Sequence, residues 1–272
     1  MTSRQKALGQ YFTDQTIADY MAELGYFAGA TSILDPAVGT GAFVDALDKK
    51  AGAARQYLHY TVFDLDESVL DRFRAKNRSH CEINQKDYLT SATGQTYDLI
   101  LCNPPYNRFL EIPNRWKYID LFRERYGIKI CGHSNLCVYF LVKSMHELKE
   151  GGRCIYILPY EFMNTGYGAV IKEYLIQSRM LKSILKFENS LRLFPDAVTT
   201  SCILFLENTP QNSIDFVTLS SPGGGRFIVR KTVAAGTALG TVLGALTVSF
   251  CVGPKSMIVH RKEFRVDPKL LG

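Results

Sequence analysis

Short apolar runs of strand length alternate with amphipathic stretches through the first 206 residues. The apolar runs cover residues 32–34, 57–63, 81–84, 97–102, 153–158, 181–187 and 199–206. Helical spacing of apolar residues follows residue 13 and recurs at 42–47, 67–76, 134–148 and 167–177. This alternation predicts a doubly wound α/β fold with a mostly parallel, Rossmann-like sheet of seven strands. The last two runs lie close together, which predicts an antiparallel hairpin at the sheet edge.

The chain changes character near residue 221, where Pro222 leads into a run of three glycines. We therefore predict a main domain over residues 1–220 and a linker with a short appendage over residues 221–272. From Arg226 onward there are eight Lys/Arg and two acidic residues, a surplus equal to the net charge of +6 on the whole chain. A basic appendage on a neutral domain suits a polyanionic partner.

Residues 232–253 form an uncharged run that is long enough to span a membrane. Its many Gly, Ala and Thr residues make it only mildly apolar, so short strands of a second domain are predicted in preference to a membrane helix. The seven cysteines include no Cys-x-x-Cys pair, and neither a disulfide framework nor a metal site is predicted. The N-terminal residues are not followed by the apolar segment of a secretory signal, and a cytoplasmic protein is therefore predicted.

The tetrapeptide Asn103-Pro104-Pro105-Tyr106 comes directly after the apolar run 97–102. Prolines lack the N–H that a central strand needs, so the strand ends here. Ligands of open α/β sheets bind at this carboxyl end. The Asn103 side chain and the Pro104 carbonyl can accept hydrogen bonds from a flat amine such as N6 of adenine, and Tyr106 can stack on it. A plain turn after a strand is the alternative interpretation.

Asp35 opens a turn that contains Gly39 and Gly41, between a strand and a helix. Strand, glycine turn and helix form the first half of a nucleotide-binding crossover. The turn lacks the Gly-Lys-Ser/Thr ending of a phosphate loop, and the Asp35 carboxylate would repel a pyrophosphate. A carboxylate at this position suits a ligand with a cationic or amine-bearing end.

Three more acidic residues follow the next two strands. Asp64 is placed to accept hydrogen bonds from ribose hydroxyls, whereas Asp66 is predicted to cap the following helix. Asp87 can accept from an adenine amine, or it is a solvated loop acid. Four successive strands are thus each followed by a polar residue at the same edge of the sheet. These residues are Asp35, Asp64, Asp87 and Asn103.

Residues 107–133 form a long connection that is rich in basic and aromatic residues. Basic side chains for phosphates and aromatic ones for bases are typical of nucleic-acid binding. The alternative is a helical excursion around residues 116–126 with its own small core.

These motifs resemble the gamma-class N6-adenine DNA methyltransferases of restriction–modification systems, which use S-adenosylmethionine. The resemblance covers about residues 6–206 in the family's order. Gly9-Gln10-Tyr11-Phe12-Thr13 resembles the N-terminal motif that closes over the methionine moiety. The run 35–43, with Asp35, Ala37, Gly39 and Gly41, resembles the central cofactor motif. By the same resemblance Asp64 is the ribose-binding acid and Asp87 the adenine-binding acid.

The resemblance also implies the catalytic residues and partners. Asn103, Pro104 and Tyr106 belong to the catalytic motif, with Asn103 also at the cofactor. Phe194 falls where the family has an aromatic residue that stacks on the flipped target base. Double-stranded DNA is the expected partner, and its backbone is expected to contact Arg108, Arg115 and Lys117.

Two other functions stay open. Glutamine methyltransferases that modify release factors carry the same tetrapeptide, but they have a helical domain before the cofactor motif and lack the Gln-Tyr-Phe-Thr segment. A catalytically silent subunit that binds DNA or a partner enzyme is the second alternative. Residues 250–264 resemble the opening of a target-recognition domain, so recognition is expected from a separate subunit, or the chain is truncated.

Overall fold

The structure is a computed structural model that describes residues 13–106, 115–130, 134–160, 168–188 and 201–219, and the backbone of three further strands. The helices are α1 (Gln15–Gly25), α2 (Ala42–Ala51), α3 (Glu67–Arg74), α4 (Trp116–Tyr126), α5 (Leu136–His146) and α6 (Gly168–Ser178), with a 3-10 helix at Gly52–Tyr57. The strands are β1 (Ser32–Asp35), β2 (His59–Phe63), β3 (Cys81–Asn84), β4 (Tyr97–Cys102), β5 (Leu148–Pro159), β6 (Leu181–Phe187), β7 (Ser201–Glu207), β8 (Ser213–Leu219), β9 (Phe227–Ala234), β10 (Leu246–Ser249) and β11 (Arg261–Phe264).

Over the described ranges, all strands belong to one mixed sheet in the order β11-β10-β9-β8-β6-β7-β5-β4-β1-β2-β3. Strands β3, β2, β1, β4 and β5 are parallel neighbours. Strand β7 is antiparallel to both β5 and β6. The predicted seven strands and the predicted antiparallel β6–β7 pair are therefore confirmed.

The structure adds strands beyond that pair. Strand β8 pairs in parallel with β6, and β9 to β11 continue from it as an antiparallel series. Strands β9 and β10 include residues 232–234 and 246–249, so the strands predicted in the uncharged run are confirmed. They continue the sheet of the main domain and do not form a sheet of their own. Within the part of the chain that is described, no helix has the length and apolarity needed to cross a membrane.

Helices cover the sheet on both faces. On one face α1, α2 and α3 bury a cluster that includes Met21, Leu47 and Phe73. On the other face, α4, α5 and α6 bury a second cluster. Successive side chains of a strand point to opposite faces, so Leu99 belongs to the first cluster and Ile100 to the second. Central strands covered on both faces must be apolar throughout, which explains the unbroken apolar runs.

Helix ends follow local side-chain chemistry. Asp14 caps α1 by accepting a hydrogen bond from the Thr16 N–H at 2.8 Å. Asp66 caps α3 by accepting from the Ser68 N–H at 3.1 Å, as predicted. Strand β2 begins two residues later than the apolar run predicted, because residues 52–57 form the 3-10 helix.

Candidate active site

The register of the parallel strands brings four predicted site residues to one edge of the sheet. Asp35, the last residue of β1, lies opposite Val62 of β2. Asp64 and Asn103 each come one residue after their strands, and Asp87 comes three residues after β3. Because β3, β2, β1 and β4 are consecutive neighbours, these side chains lie at successive strand ends.

The glycine loop, residues 36–41, joins β1 to α2 and is held by backbone hydrogen bonds. The Val38 N–H donates to the Phe63 carbonyl at 2.9 Å, and the Gly41 N–H donates to the Val38 carbonyl at 2.9 Å. Gly39 has φ 53° and Gly41 has φ 87°, which residues with a Cβ rarely adopt. The glycines therefore shape the loop, whether or not a ligand is bound.

Arg78, in the connection between α3 and β3, also holds the glycine loop. Its guanidinium donates to the Thr40 carbonyl at 3.0 Å and to both oxygens of Asp45 at 2.7 and 2.9 Å. The guanidinium also lies 4.3 Å from the Phe73 ring centroid, and the side chain is only 5% exposed. A Cβ at Gly41 would lie 2.5 Å from Arg78 Nη2, so a side chain there would displace the guanidinium. Sequence reasoning missed Arg78 because no motif contains it.

Asp35 is buried with one carboxylate oxygen satisfied. Its Oδ1 accepts from the Ala37 N–H at 3.2 Å, whereas Oδ2 is buried with no hydrogen-bond partner in the described structure. The pKa of Asp35 is raised to about 8, mainly by burial and in part by the nearby Asp64 carboxylate, while the hydrogen bond from the Ala37 N–H opposes the rise. An unpaired buried oxygen next to a glycine turn fits the amino group of a methionine-type ligand, which would supply the missing partner.

Asp64 differs from Asp35 because both of its oxygens accept backbone N–H groups. Oδ2 accepts from Gly39 at 3.1 Å and Oδ1 accepts from Asp66 at 2.9 Å. Burial raises the pKa of Asp64, although these hydrogen bonds oppose the shift. Each carboxylate oxygen retains a further lone pair, which ribose hydroxyls can use. Leu65 beside it is 61% exposed, an apolar surface at the strand end that sequence reasoning did not single out.

Asp87 is held by α4. Its carboxylate accepts from the Leu89 N–H at 3.0 Å and from the Tyr118 hydroxyl at 2.8 Å. The Lys117 ammonium, which is expected at the DNA backbone, lies 3.8 Å from Asp87 and 4.8 Å from the Tyr118 ring centroid. The helix predicted around residues 116–126 is confirmed, but Phe122 packs in the core of the domain, so the expectation of a separate small core is wrong.

The NPPY loop, residues 103–106, is held by side chains from several elements. Asn103 is 8% exposed, and its Nδ2 donates to Thr13 Oγ1 at 3.0 Å. The Tyr106 hydroxyl donates to Asn103 Oδ1 and is 3.0 Å from the Ile157 carbonyl. Asn135 Nδ2 donates to the Tyr106 carbonyl at 3.0 Å. Thr13, which was expected at the cofactor, therefore also contacts the predicted catalytic asparagine.

Several predicted site residues fall outside the described residues. These are Gln10, Tyr11, Phe12, Arg108 and Phe194. The guanidinium of Arg115, which is described, lies 4.9 Å from the ring centroid of Trp116, a residue that is 61% exposed. In the described ranges, no group of three or more His, Cys, Asp or Glu side chains is arranged to hold a metal ion.

The fold is similar to those of solved methyltransferase structures, the first of which is described as class I and S-adenosylmethionine-dependent. One from Listeria monocytogenes has a TM-score of 0.66 and 20% identity, with 79% of this chain and 68% of that chain covered. The methyltransferase subunit of a type I restriction–modification system from Streptococcus thermophilus has a TM-score of 0.65 and 16% identity, with 78% and 48% covered. The fold is that of the class I methyltransferases.

The family model for the Eco57I restriction-modification methylase matches residues 45–194, and the chain belongs to this family. It is 33% identical over 208 residues to the Type II methyltransferase M.AccI of Acinetobacter calcoaceticus, covering 75% of this chain and 37% of that protein. It is 30% identical over 206 residues to M.HincII of Haemophilus influenzae, covering 75% and 38%. The chain thus spans less than two-fifths of the length of these curated relatives.

Proposed function

We propose that the chain is the catalytic part of a site-specific DNA adenine-N6 methyltransferase of a restriction–modification system. The observation that carries the proposal is the meeting of Asn103 with Asp35 and Asp64 at the ends of adjacent parallel strands. Asn103 offers an acceptor for a flat amine, and Asp35 and Asp64 offer carboxylates for a charged nucleoside ligand. Family membership supports a restriction–modification methylase.

S-adenosylmethionine fits the acidic side of this site. The unpaired Asp35 Oδ2 suits its amino group, Asp64 suits its ribose hydroxyls and Asp87 suits its adenine amine. When bound, the cofactor supplies an electrophilic methyl group. The glycine loop, with Ala37, Gly39 and Gly41, leaves room for the ligand because its turn residues carry little or no side chain.

The NPPY loop would hold the target base. Rotating adenine out of the duplex costs a few kcal/mol, and stacking on aromatic rings recovers about 1–3 kcal/mol per base. Tyr106 is proposed for one side of the base and Phe194 for the other. Asn103 Oδ1 and the Pro104 carbonyl would accept the two N6–H bonds.

Those two acceptors would favour reaction at nitrogen. The N6 lone pair of adenine is delocalised into the ring, and it becomes available as the nitrogen turns pyramidal. Hydrogen bonds that suit the pyramidal nitrogen better than the planar one stabilise the transition state more than the ground state. The Tyr106 hydroxyl now donates to Asn103 Oδ1, so the arriving amine would replace that hydroxyl as the donor.

DNA contacts and target recognition are further parts of the proposal. Arg108, Arg115 and Lys117 are proposed to contact the DNA backbone. Recognition of the target sequence is proposed to come from a separate subunit. The description of the Streptococcus thermophilus protein as a methyltransferase subunit supports this possibility by analogy.

The direct test is transfer of labelled methyl groups from S-adenosylmethionine to duplex DNA or to protein acceptors. The purified chain is assayed alone and with any recognition subunit from its own system, and the DNA is digested to nucleosides for mass spectrometry. N6-methyladenine is the expected product. Methylated cytosine, or methylated glutamine in protein, would contradict the proposal, and cofactor binding without transfer under both conditions would favour a silent subunit.

A further inference from the structure

Asn135 lies between the first turn of α5 and the NPPY loop. Its side-chain Oδ1 accepts a hydrogen bond from the Cys137 N–H at 3.1 Å, which caps α5. Its Nδ2 donates to the Tyr106 carbonyl at 3.0 Å. One partner is a pure donor and the other a pure acceptor, so a single orientation of the amide satisfies both.

The other end of Tyr106 is held as well. Its hydroxyl contacts Asn103 Oδ1 and the Ile157 carbonyl at the end of β5. Pro104 and Pro105 have restricted φ angles, so the two residues between Asn103 and Tyr106 absorb little movement. A shift of the Tyr106 backbone would therefore be transmitted to the acceptors at Asn103 and Pro104.

We propose that Asn135 is a positioning residue that holds Tyr106, and through it the Asn103 and Pro104 acceptors, in the geometry for methyl transfer. This inference rests on the proposed function and assigns Asn135 no contact with the substrate. A helix cap needs only an acceptor, which Asp or Ser supplies about as well as Asn. The amide N–H that reaches Tyr106 is the additional feature.

The test compares Asn135→Asp and Asn135→Ser in the full chain, with any recognition subunit that wild-type activity requires. Both variants keep an acceptor for the Cys137 N–H and lose the amide donor to Tyr106. Asn208 is the matched control, because its Nδ2 donates to the carbonyls of Leu148 at 2.9 Å and Lys149 at 3.1 Å, at the start of β5. Asn208→Asp removes the same kind of bond away from the site.

Both Asn135 variants should keep the wild-type cofactor affinity and lower the melting temperature no more than Asn208→Asp does, while kcat falls about 5- to 10-fold, as expected for a lost hydrogen bond. Asn208→Asp should leave kcat unchanged. Wild-type kcat in both Asn135 variants would overturn the inference. So would a loss of kcat that only parallels losses of melting temperature and cofactor affinity.

Hydrogen exchange provides a readout that needs no methyl acceptor. The amides of Asn103 and Tyr106 should exchange faster in both Asn135 variants than in the wild type or Asn208→Asp, and unchanged exchange would overturn the inference. If the wild type methylates no DNA while this difference is present, the proposed function fails but the structural role of Asn135 stands.

Discussion

The glycine loop and the NPPY loop follow the neighbouring strands β1 and β4, and they are held by different kinds of contact. Backbone hydrogen bonds and the Arg78 guanidinium hold the glycine loop. The NPPY loop depends on side chains from other elements, such as Thr13 and Asn135. The first loop is thus shaped by backbone hydrogen bonds and one arginine, whereas the second is held by side chains from several elements.

The polar groups of the two loops also differ in how they are satisfied. Asp35 beside the glycine loop keeps an oxygen with no partner in the described structure, so a cation can bind there without displacing a protein group. Asn103 is already hydrogen-bonded at both ends of its amide, to Thr13 and to Tyr106. A target amine must therefore exchange with a protein hydroxyl. The comparison predicts that changes at the first loop alter cofactor affinity and changes at the second alter turnover.

Asn103→Ala should have the largest effect. Removing one acceptor of the developing charge is expected to lower kcat about 100- to 1000-fold. The Kd for S-adenosylmethionine should stay within about threefold of wild type, because the acidic side of the site is intact. Single-turnover kinetics and calorimetry measure the two quantities. Asn84→Ala, at the end of β3, is the control; its side chain donates to Glu82 at 3.2 Å. Equal losses of kcat and affinity in Asn103→Ala would contradict the comparison.

Asp35→Asn should weaken cofactor binding about 10- to 100-fold, since a hydrogen bond to a charged group is worth about 1.5–3 kcal/mol. Burial raises the pKa of Asp35 to about 8, so binding the cofactor's amino group should release a proton at neutral pH. Wild-type affinity should rise about tenfold per pH unit from about pH 6 to pH 8, and the variant should lack this dependence. Calorimetry across this pH range measures both affinities. The same pH dependence in the wild type and in Asp35→Asn would contradict binding of the cofactor's amino group by Asp35.

Asp35→Asn should stabilise the fold, although it weakens cofactor binding. The folded-state pKa of Asp35 lies above its unfolded value of about 3.9, so its contribution to stability is lost as pH rises from about 4 through 8. Asp35→Asn removes that loss. Its melting temperature should exceed that of the wild type more at pH 9 than at pH 5, and thermal denaturation at the two values measures the difference. A constant difference would argue against a protonated Asp35 in the fold.

Arg78→Lys should lower cofactor affinity about tenfold and the free energy of unfolding by about 1–3 kcal/mol, because loop carbonyls lose a buried donor. Lysine keeps the charge near Asp45 but not the planar fork. Lys76→Met is the matched control, since Lys76 pairs with Asp45 at 2.8 Å from a half-exposed position. Its effect should stay within about 1 kcal/mol. Equal effects of both variants would mean that the Asp45 pair, and not the loop contact, matters.

Tyr106→Phe should have the smallest effect. The ring that stacks on the base remains, while the hydroxyl that donates to Asn103 Oδ1 is lost. We expect kcat within about threefold of wild type, because the lost contact is worth about 0.5–1.5 kcal/mol and belongs to the unbound state. Tyr106→Ala, which removes the ring, should weaken DNA binding more than Tyr106→Phe does. Steady-state kinetics of both variants test this, and similar losses in both would show that the hydroxyl itself is needed.

The sequence predicted local features well where local chemistry decides them. Strands β3, β4 and β6 have the bounds that the apolar runs indicated. Strand β8 was not predicted, and its pairing with β6 is a tertiary property. The sequence also predicted a polar residue at each of four strand ends, and the register of the sheet confirms that they share one edge.

By itself the sequence determined the restriction–modification methylase class, the alternation of the first seven strands with helices and the polar residues that follow four of these strands. Prolines, glycines and apolar runs decide these features because they act on the chain within a few residues. The tertiary structure alone decided that Arg78 clamps the glycine loop, that Tyr118 bonds Asp87 and that Asn135 holds Tyr106. These partners lie roughly 30 to 40 residues apart in the chain. Their hydrogen bonds form only when the packed sheet and helices bring them within about 3 Å.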